Sequence, residues 1–305
     1  MPCPTKSRDY PSSACTVPSW SDIMAVIFDD LTKFHFWRAV IAEFLGTMFL
    51  IVVGVGACFV WHPHHAPTPT HIALHSGLYI AFIILATGHI SGGLVNPALS
   101  IAFAATRRIS VVRALLYTIA QCVGSVAGTA LLKALVPESI QGDFGTLKLN
   151  KLVTEAQGFG IEFIITFVLL FGIFAVTDEN RKDVGGSVPL TVGLIVTINI
   201  FFGMNYTGGG MNPARQFGPC VFSGKWEHHW IYWLGPISGG LTGALLYKYV
   251  FAMNASFQEA KGCITGSGSY DSVAVVENED NNEDTSDLYP GNDKKKISME
   301  IVSSI

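Results

Sequence analysis

Charged residues are scarce in this chain. Asp, Glu, Lys and Arg together make up 14% of its 305 residues, whereas about a quarter of the residues in a typical soluble domain are charged. A protein with so few charges cannot expose most of its surface to water, so the composition argues against an ordinary soluble domain. The sequence also lacks a strongly basic block of the kind that binds nucleic acid.

Motifs for catalysis or metal binding are missing as well. The sequence contains no nucleophile–base pair, metal-ligand set or phosphate-binding loop. Its cysteines show neither a CxxC motif nor paired spacing, and several lie in apolar runs, where cysteine acts as a small hydrophobe. They are Cys3, Cys15, Cys58, Cys122, Cys220 and Cys263. We therefore expect no enzyme activity, no cofactor, no metal site and no disulfide framework.

Long apolar runs are abundant. A transmembrane helix needs roughly 20 mostly apolar residues, and six stretches of the chain meet this requirement. They cover residues 37–61, 72–90, 112–135, 156–177, 187–204 and 228–251. Any one of them could be a buried helix of a large soluble protein, but six in one weakly charged chain indicate an integral membrane protein.

Two further apolar segments are too short to cross a membrane. They cover residues 96–106, NPALSIAFAAT, and 212–222, NPARQFGPCVF, and each follows a glycine-rich turn. Proline suits the first turn of a helix because its missing N–H would have no intrahelical partner there. Asparagine is a preferred N-cap. Each segment is therefore predicted to be a short helix that begins abruptly at Asn96 or Asn212.

The two halves of the chain resemble each other. The Asn-Pro-Ala motifs are 116 residues apart (212 minus 96), and similar offsets relate Glu43 to Glu162 and Gly124 to Gly239. Three spans per half is an odd number, so the second half enters the membrane from the opposite side. Such inverted repeats place their functional site near the midplane. The repeats cover residues 36–135 and 156–252 of a domain at 36–252.

This arrangement predicts an all-α membrane protein with six transmembrane helices and two re-entrant half-helices whose N-termini meet. Glu43 and Glu162 are single charges inside apolar spans, and a carboxylate in a membrane is costly without partners. We expect each to accept hydrogen bonds from backbone N–H groups of a re-entrant loop. A role in a proton relay is the alternative.

Basic residues predict the orientation. Cytoplasmic loops are enriched in Lys and Arg, and the basic residues next to the first short helix and between spans four and five would share one side. They are Arg107, Arg108, Arg113, Arg181 and Lys182. The leader 1–35 and the tail 253–305 would then both be cytoplasmic. Lys148 and Lys151 on the opposite side weaken this asymmetry. The acidic, weakly apolar tail is predicted to be disordered.

The sequences HISGGLVNPA and TGGGMNPAR, together with the six spans and matching glutamates, resemble those of the aquaporins, the major intrinsic protein family. Two Asn-Pro-Ala motifs in corresponding halves are a very specific signal. The resemblance implies a passive water channel of the plasma membrane, assembled as a homotetramer with one pore per subunit. It implies that Glu43, Glu162 and His89 support the pore loops. The pore motifs would be Asn96, Pro97, Ala98, Asn212, Pro213 and Ala214.

By resemblance, a narrow filter is formed by Ser76, Ile200, Gly209 and Arg215. Strict water channels of the family have phenylalanine and histidine at the first two positions, so this filter should be wider and partly apolar and should admit glycerol or urea. Arg215 and the paired helix N-termini would exclude ions and protons. Gln216 replaces the aspartate of glycerol channels. The chain therefore resembles insect water-type aquaporins that lost the filter histidine.

The cysteine positions also bear on inhibition. Many family members carry a mercury-reactive cysteine at the loop position of the filter, where this chain has Gly209. Block through that position is therefore not expected. Cys220, inside the second short helix, is a weaker candidate.

Two other classes of function stay open. Ion-coupled secondary transporters also use inverted repeats and broken helices. A membrane adhesion or signalling protein with a residual pore would use the long acidic tail, and the terminal residues Ser303, Ser304 and Ile305 resemble a ligand of PDZ-type domains. Saturable, gradient-dependent transport would favour the first alternative. Normal cellular function without a working pore would favour the second.

Overall fold

The computed structural model describes residues 31–62 and 64–255. The predictions for the N-terminal leader, the disordered tail and the PDZ-type terminus lie outside these residues. Within the described ranges the chain is helical and contains no strand. The all-helical fold predicted from the sequence is confirmed.

Six long helical segments match the six predicted spans. The first comprises α1 (Phe34–Phe49), a π-helical stretch (Leu50–Val55) and a 3-10 turn (Gly56–Cys58). The next four are α2 (Pro69–Ser91), α4 (Val111–Leu135), α6 (Glu155–Val176) and α7 (Val188–Gly203), and the last is α9 (Ile231–Leu246), which continues as a π-helix over Tyr247–Phe251. One additional turn of helix, α5 (Glu138–Gln141), lies between the two repeats.

Length and hydropathy alone qualify fewer segments as membrane spans. In the part of the chain that the structure describes, four helices are long and apolar enough to cross a membrane, namely Phe34–Cys58, Pro69–Ser91, Val111–Leu135 and Glu155–Val176. Helix α7 is apolar but has only 16 residues. At 1.5 Å per residue it is about 24 Å long, which is short of the roughly 30 Å hydrocarbon core. Helix α7 therefore fits a membrane span by its place in the repeat rather than by its length.

The two half-helices begin where the sequence predicts. Helix α3 (Pro97–Ala105) follows the N-cap Asn96, whose side chain accepts a hydrogen bond from the Ala98 N–H. Helix α8 (Pro213–Ser223) follows Asn212, which accepts from both the Ala214 and Arg215 N–H groups. In each helix proline occupies the first turn, where its missing N–H costs nothing.

The repeats pack as equivalent pairs. Helix α1 packs on α4 and α6 packs on α9, while each half-helix packs on the last span of the other repeat, α3 on α9 and α8 on α4. Glycine permits backbone contact in the equivalent pairs: a Cβ on Gly124 would lie 2.3 Å from the Phe44 carbonyl oxygen, and one on Gly239 would lie 2.1 Å from that of Phe163. This exchange of half-helices between the repeats holds both N-termini at the centre of the bundle.

Candidate functional site: a pore at the paired half-helices

The residue before each asparagine has an unusual backbone. Val95 has a φ of 42° and Met211 a φ of 53°, in the left-handed region that side chains other than glycine rarely occupy and β-branched ones hardly at all. Strain of this kind persists only where surrounding contacts hold it. Here the left-handed turn points each residue's N–H toward a buried glutamate and its carbonyl toward the opposite half-helix.

The two asparagines bond across the centre. The Asn96 amide nitrogen donates to the Met211 carbonyl at 2.9 Å, and the Asn212 amide nitrogen donates to the Val95 carbonyl at 2.8 Å. Each side-chain oxygen is already engaged as a helix cap. A primary amide has two N–H donors, so one N–H of each asparagine stays available for a molecule between the helix ends.

The geometry sets the sign of the local electric field. A helix N-terminus carries roughly half a positive elementary charge, and here two such ends face each other around buried asparagine side chains, with Asn96 5% and Asn212 7% exposed. Positive potential in a low-dielectric enclosure repels cations and orients dipoles. The site therefore suits a neutral molecule that accepts hydrogen bonds.

Glu43 organises the first pore loop. Its carboxylate accepts hydrogen bonds from the backbone N–H groups of Leu94 (3.0 Å) and Val95 (2.6 Å), from the Ser91 hydroxyl (2.6 Å) and from the Gln121 amide (2.7 Å). The side chain is fully buried. Each carboxylate oxygen has two donors, and these hydrogen bonds compensate for the cost of burying the carboxylate inside the bundle.

Glu162 organises the second loop in the same way. It accepts from the Gly210 N–H (2.8 Å), the Met211 N–H (2.8 Å) and the Thr207 hydroxyl (2.5 Å). It is also fully buried. Each glutamate thus accepts a hydrogen bond from the N–H of a strained residue, Val95 or Met211. This contact orients the carbonyl of that residue toward the asparagine side chain of the other half-helix.

The prediction for His89 differs from what the structure contains. The His89 side chain is exposed on the last turn of α2, and in the part of the chain described here it has no hydrogen bond to the pore loop. Ser91, two residues later, takes that place and has Thr207 as its counterpart in the second repeat. Tyr117 and Tyr232 add equivalent bonds to the carbonyls of these two residues. The repeat offset could have identified all four.

A cavity of about 100 Å³ runs past the helix ends. One water needs roughly 10–15 Å³ of such space, so the cavity can hold a file of several waters. It is lined by Ser76, Asn96, Ile200, Gly209, Asn212 and Arg215. The structure thus brings the four residues predicted to form the filter and both asparagines to one cavity wall. In contrast, Pro97, Ala98, Pro213 and Ala214 are buried in the first helical turns behind it.

The Arg215 side chain is anchored by a backbone group that lies outside the helical bundle. Its guanidinium donates to the carbonyl oxygen of Gly145 at 2.6 Å, in the segment that links the two repeats. Ile200 lies directly beside Gly209: a Cβ on this glycine would be 3.3 Å from the Ile200 Cα. The predicted filter position therefore combines one anchored cation, one hydroxyl at Ser76 and an apolar side formed by Ile200.

One residue of the cavity wall could not be predicted from the sequence. Cys58, at the end of the first span, lines the same cavity as Arg215. Cys220, which the sequence suggested as a weak candidate for mercury, is instead completely buried, with its sulfur 3.4 Å from the His229 Nδ1. Cys58 lies in an apolar run with no motif, so only its position in three dimensions reveals it.

Comparison with known proteins agrees with this geometry. Residues 30–247 match the family model described as "Major intrinsic protein". The chain is 41% identical to mouse aquaporin-4 over 268 residues, covering 84% of this chain and 83% of the relative. It is also 41% identical to the human lens fiber major intrinsic protein over 224 residues, covering 72% and 84%.

A solved structure shows the same fold. The aquaglyceroporin from Plasmodium falciparum superimposes with a TM-score of 0.63 at 26% identity, covering 70% of this chain and 96% of that one. An insect-type affiliation stays a prediction. The matched family model, the relatives and the paired Asn-Pro-Ala half-helices together establish that this chain belongs to the major intrinsic protein family, the aquaporins.

Proposed function

We propose that the protein is a passive channel that conducts water and, through a widened filter, small uncharged solutes such as glycerol or urea. In this proposal the channel domain covers residues 36–252, needs no cofactor and catalyses no reaction. The observation that carries the proposal is the pair of half-helix N-termini, cross-bonded by Asn96 and Asn212 at the wall of a continuous cavity.

The pairing explains how water could pass without protons. A water oxygen that accepts from the free N–H groups of both asparagines turns its hydrogens away from them. The chain of hydrogen bonds along the file then breaks at this point, so a proton cannot be relayed through it. The positive helix ends and Arg215 add an electrostatic barrier to hydronium and other cations.

The composition of the filter supports passage of larger solutes. Ser76 and Gly209 are small, and Ile200 offers an apolar wall without a hydrogen-bonding group. Glycerol has both a carbon backbone and hydroxyls, so an apolar side opposite Arg215 suits it. A histidine at position 200 would add bulk and a donor and would favour water alone.

Ion-coupled transport is less well supported than passive conduction. Coupling needs a buried group that can bind and release an ion or proton, and Glu43 and Glu162 are the acidic residues in the described spans suited to it. Both are fully buried and saturated by donors that also hold the pore loops. Releasing either carboxylate would disrupt its loop, which favours a structural role.

Stopped-flow measurements on proteoliposomes test the proposal. Water permeability should exceed that of empty vesicles and should not depend on an ion gradient. Glycerol and urea permeability should also exceed the background, and Ile200→His should lower both relative to water. Water flux equal to that of empty vesicles would refute the channel. Glycerol and urea flux at background, with normal water flux, would refute only the wide filter.

We infer further that both termini are cytoplasmic and that the protein forms homotetramers in the plasma membrane. Basic side chains gather at one end of the bundle, where Arg108 donates to the Thr177 hydroxyl and Lys248 to the Thr106 carbonyl. Lys148 and Lys225 lie at the other end with Asp143. Terminal epitope tags should be inaccessible in intact cells and accessible after permeabilisation, and the purified protein should have the mass of four chains.

A further inference from the structure

Gln216 makes an unusual contact with the segment that links the repeats. The residue follows Arg215 directly on α8, is 1% exposed and does not line the cavity. Its side-chain oxygen accepts from the Leu147 N–H at 2.8 Å, and its side-chain nitrogen donates to the Leu147 carbonyl at 3.1 Å. One buried amide thus satisfies both backbone groups of a single loop residue.

Leu147 in turn packs on the pore loop. A Cβ on Gly208 would lie 2.7 Å from the Leu147 Cδ2, and one on Gly210 would lie 3.0 Å from its Cδ1. These glycines flank Gly209, the loop residue of the filter. The Gln216 amide therefore fixes a side chain that presses against the filter loop from outside the cavity.

The same short segment carries the anchor of the filter arginine. Gly145, two residues before Leu147, supplies the carbonyl that accepts from Arg215. Fixing Leu147 limits how far this carbonyl can move, because two residues of chain span at most about 7 Å. Gln216 and Arg215 are neighbours on one helix and reach the same segment, so the four residues form a closed ring of contacts.

Other contacts at the outer rim support this segment from the solvent side. Asp143 pairs with Lys148 and Lys225, and these hydrogen bonds lower the pKa of the Asp143 carboxyl. The Thr146 and Ser223 hydroxyls lie 2.9 Å apart. Such exposed pairs contribute little on their own. The Gln216 amide is worth more, because losing these bonds would leave its own buried polar atoms and the partly buried Leu147 backbone groups without partners.

Among the described residues of the first repeat, the corresponding position makes no such contact. Ser100 corresponds to Gln216 by the repeat offset, and its hydroxyl bonds inward to the Gln121 side chain. The pair of hydrogen bonds between Gln216 on α8 and Leu147 in the segment that links the repeats, here called the clasp, is thus specific to the half of the pore that contains the predicted filter. A contact needed only for folding of the half-helix would be expected in both repeats.

We propose that Gln216 is a positioning residue for selectivity: its amide fixes Leu147, and through it the Gly145 carbonyl, and so holds Arg215 and the filter loop at a set width. This inference rests on the proposed function. When the clasp is lost, Arg215 loses its fixed anchor and the filter widens, so larger solutes gain more than water does.

The test is the ratio of glycerol to water permeability in the same proteoliposomes, which does not depend on how much protein is incorporated. Gln216→Met keeps the length of the side chain and removes both hydrogen bonds. We expect the ratio to rise by about threefold or more, which corresponds to a buried hydrogen bond of ordinary strength. A loss of folded protein alone would lower both fluxes together and leave the ratio unchanged.

Gln141→Met is the matched control. Gln141 also uses its amide to hold this region, donating to the Lys133 and Val136 carbonyls at 2.8 Å each, but among the described residues its side chain makes no hydrogen bond to α8. Its substitution should leave the ratio unchanged. Should Gln216→Met fail to assemble, Gln216→Glu replaces it, because a carboxylate would repel the Leu147 carbonyl and the same rise is expected.

Two results would count against the inference in different ways. Wild-type water flux together with an unchanged ratio in the Gln216 variant overturns the positioning role alone. An equal rise in the Gln141 variant overturns it as well, since the effect would then be general loosening of the segment. No water flux in the wild type overturns the proposed function and this inference with it.

Discussion

Replacing Glu162 by glutamine tests the support of the pore loop most directly. In the wild type one carboxylate oxygen accepts from Thr207 and Gly210 and the other from Met211. Glutamine has nearly the same shape but only one acceptor oxygen. If the glutamine oxygen accepts from Thr207 and Gly210, the glutamine NH₂ group faces the Met211 N–H. Two hydrogen-bond donors then oppose each other at a fully buried position.

The expected loss of stability follows from these hydrogen bonds. Leaving the Met211 N–H without a partner costs about 1–3 kcal/mol, and the two remaining hydrogen bonds lose the roughly twofold strength that the charge gives them. Burying a neutral amide rather than a charge offsets part of this loss. We expect Glu162→Gln to destabilise the protein by about 2–4 kcal/mol, with a fall in Tm of about 5 °C or more.

Thermal unfolding of the detergent-purified protein measures this effect. Glu138→Gln is the control, because Glu138 is exposed on α5, and its Tm should stay within about 1–2 °C of the wild type. If Glu162→Gln had an unchanged Tm and normal water permeability, our account of the loop would be wrong. A normal Tm with loss of a proton-dependent flux would favour the proton relay instead.

Three other predictions follow from the same structure. A mercurial reagent should lower water permeability, and Cys58→Ala should abolish that block while leaving basal flux intact; persistent block would place the reactive thiol elsewhere. Burial lowers the pKa of His229, whose Nε2 accepts from the Trp233 indole at 2.9 Å. Its neutral form is thus favoured, so Tm should fall as pH drops below about 6.5, and His229→Gln should flatten that dependence. Gly239→Ala should destabilise the protein by about 1–3 kcal/mol through overpacking, whereas Gly160→Ala, with open space around its Cβ, should not; equal Tm values would contradict the packing argument.

The sequence was sufficient for the architecture, because the relevant signals are local. Six apolar runs, two Asn-Pro-Ala starts and the repeat of Glu43 as Glu162 each depend on neighbouring residues or a fixed offset. They predict the spans to within three residues of the observed ends. The family resemblance then assigned the four filter positions, all of which line the cavity.

The tertiary structure alone decided which residues far apart in the chain make contact. The cavity position of Cys58 and the clasp of Gln216 on Leu147 both join segments that share no local pattern. Side-chain direction on a helix and the path of the linking segment decide which groups meet. Such directions are set only when the two repeats pack together, because backbone contact at residues such as Gly239 fixes the rotation of each helix against its partner.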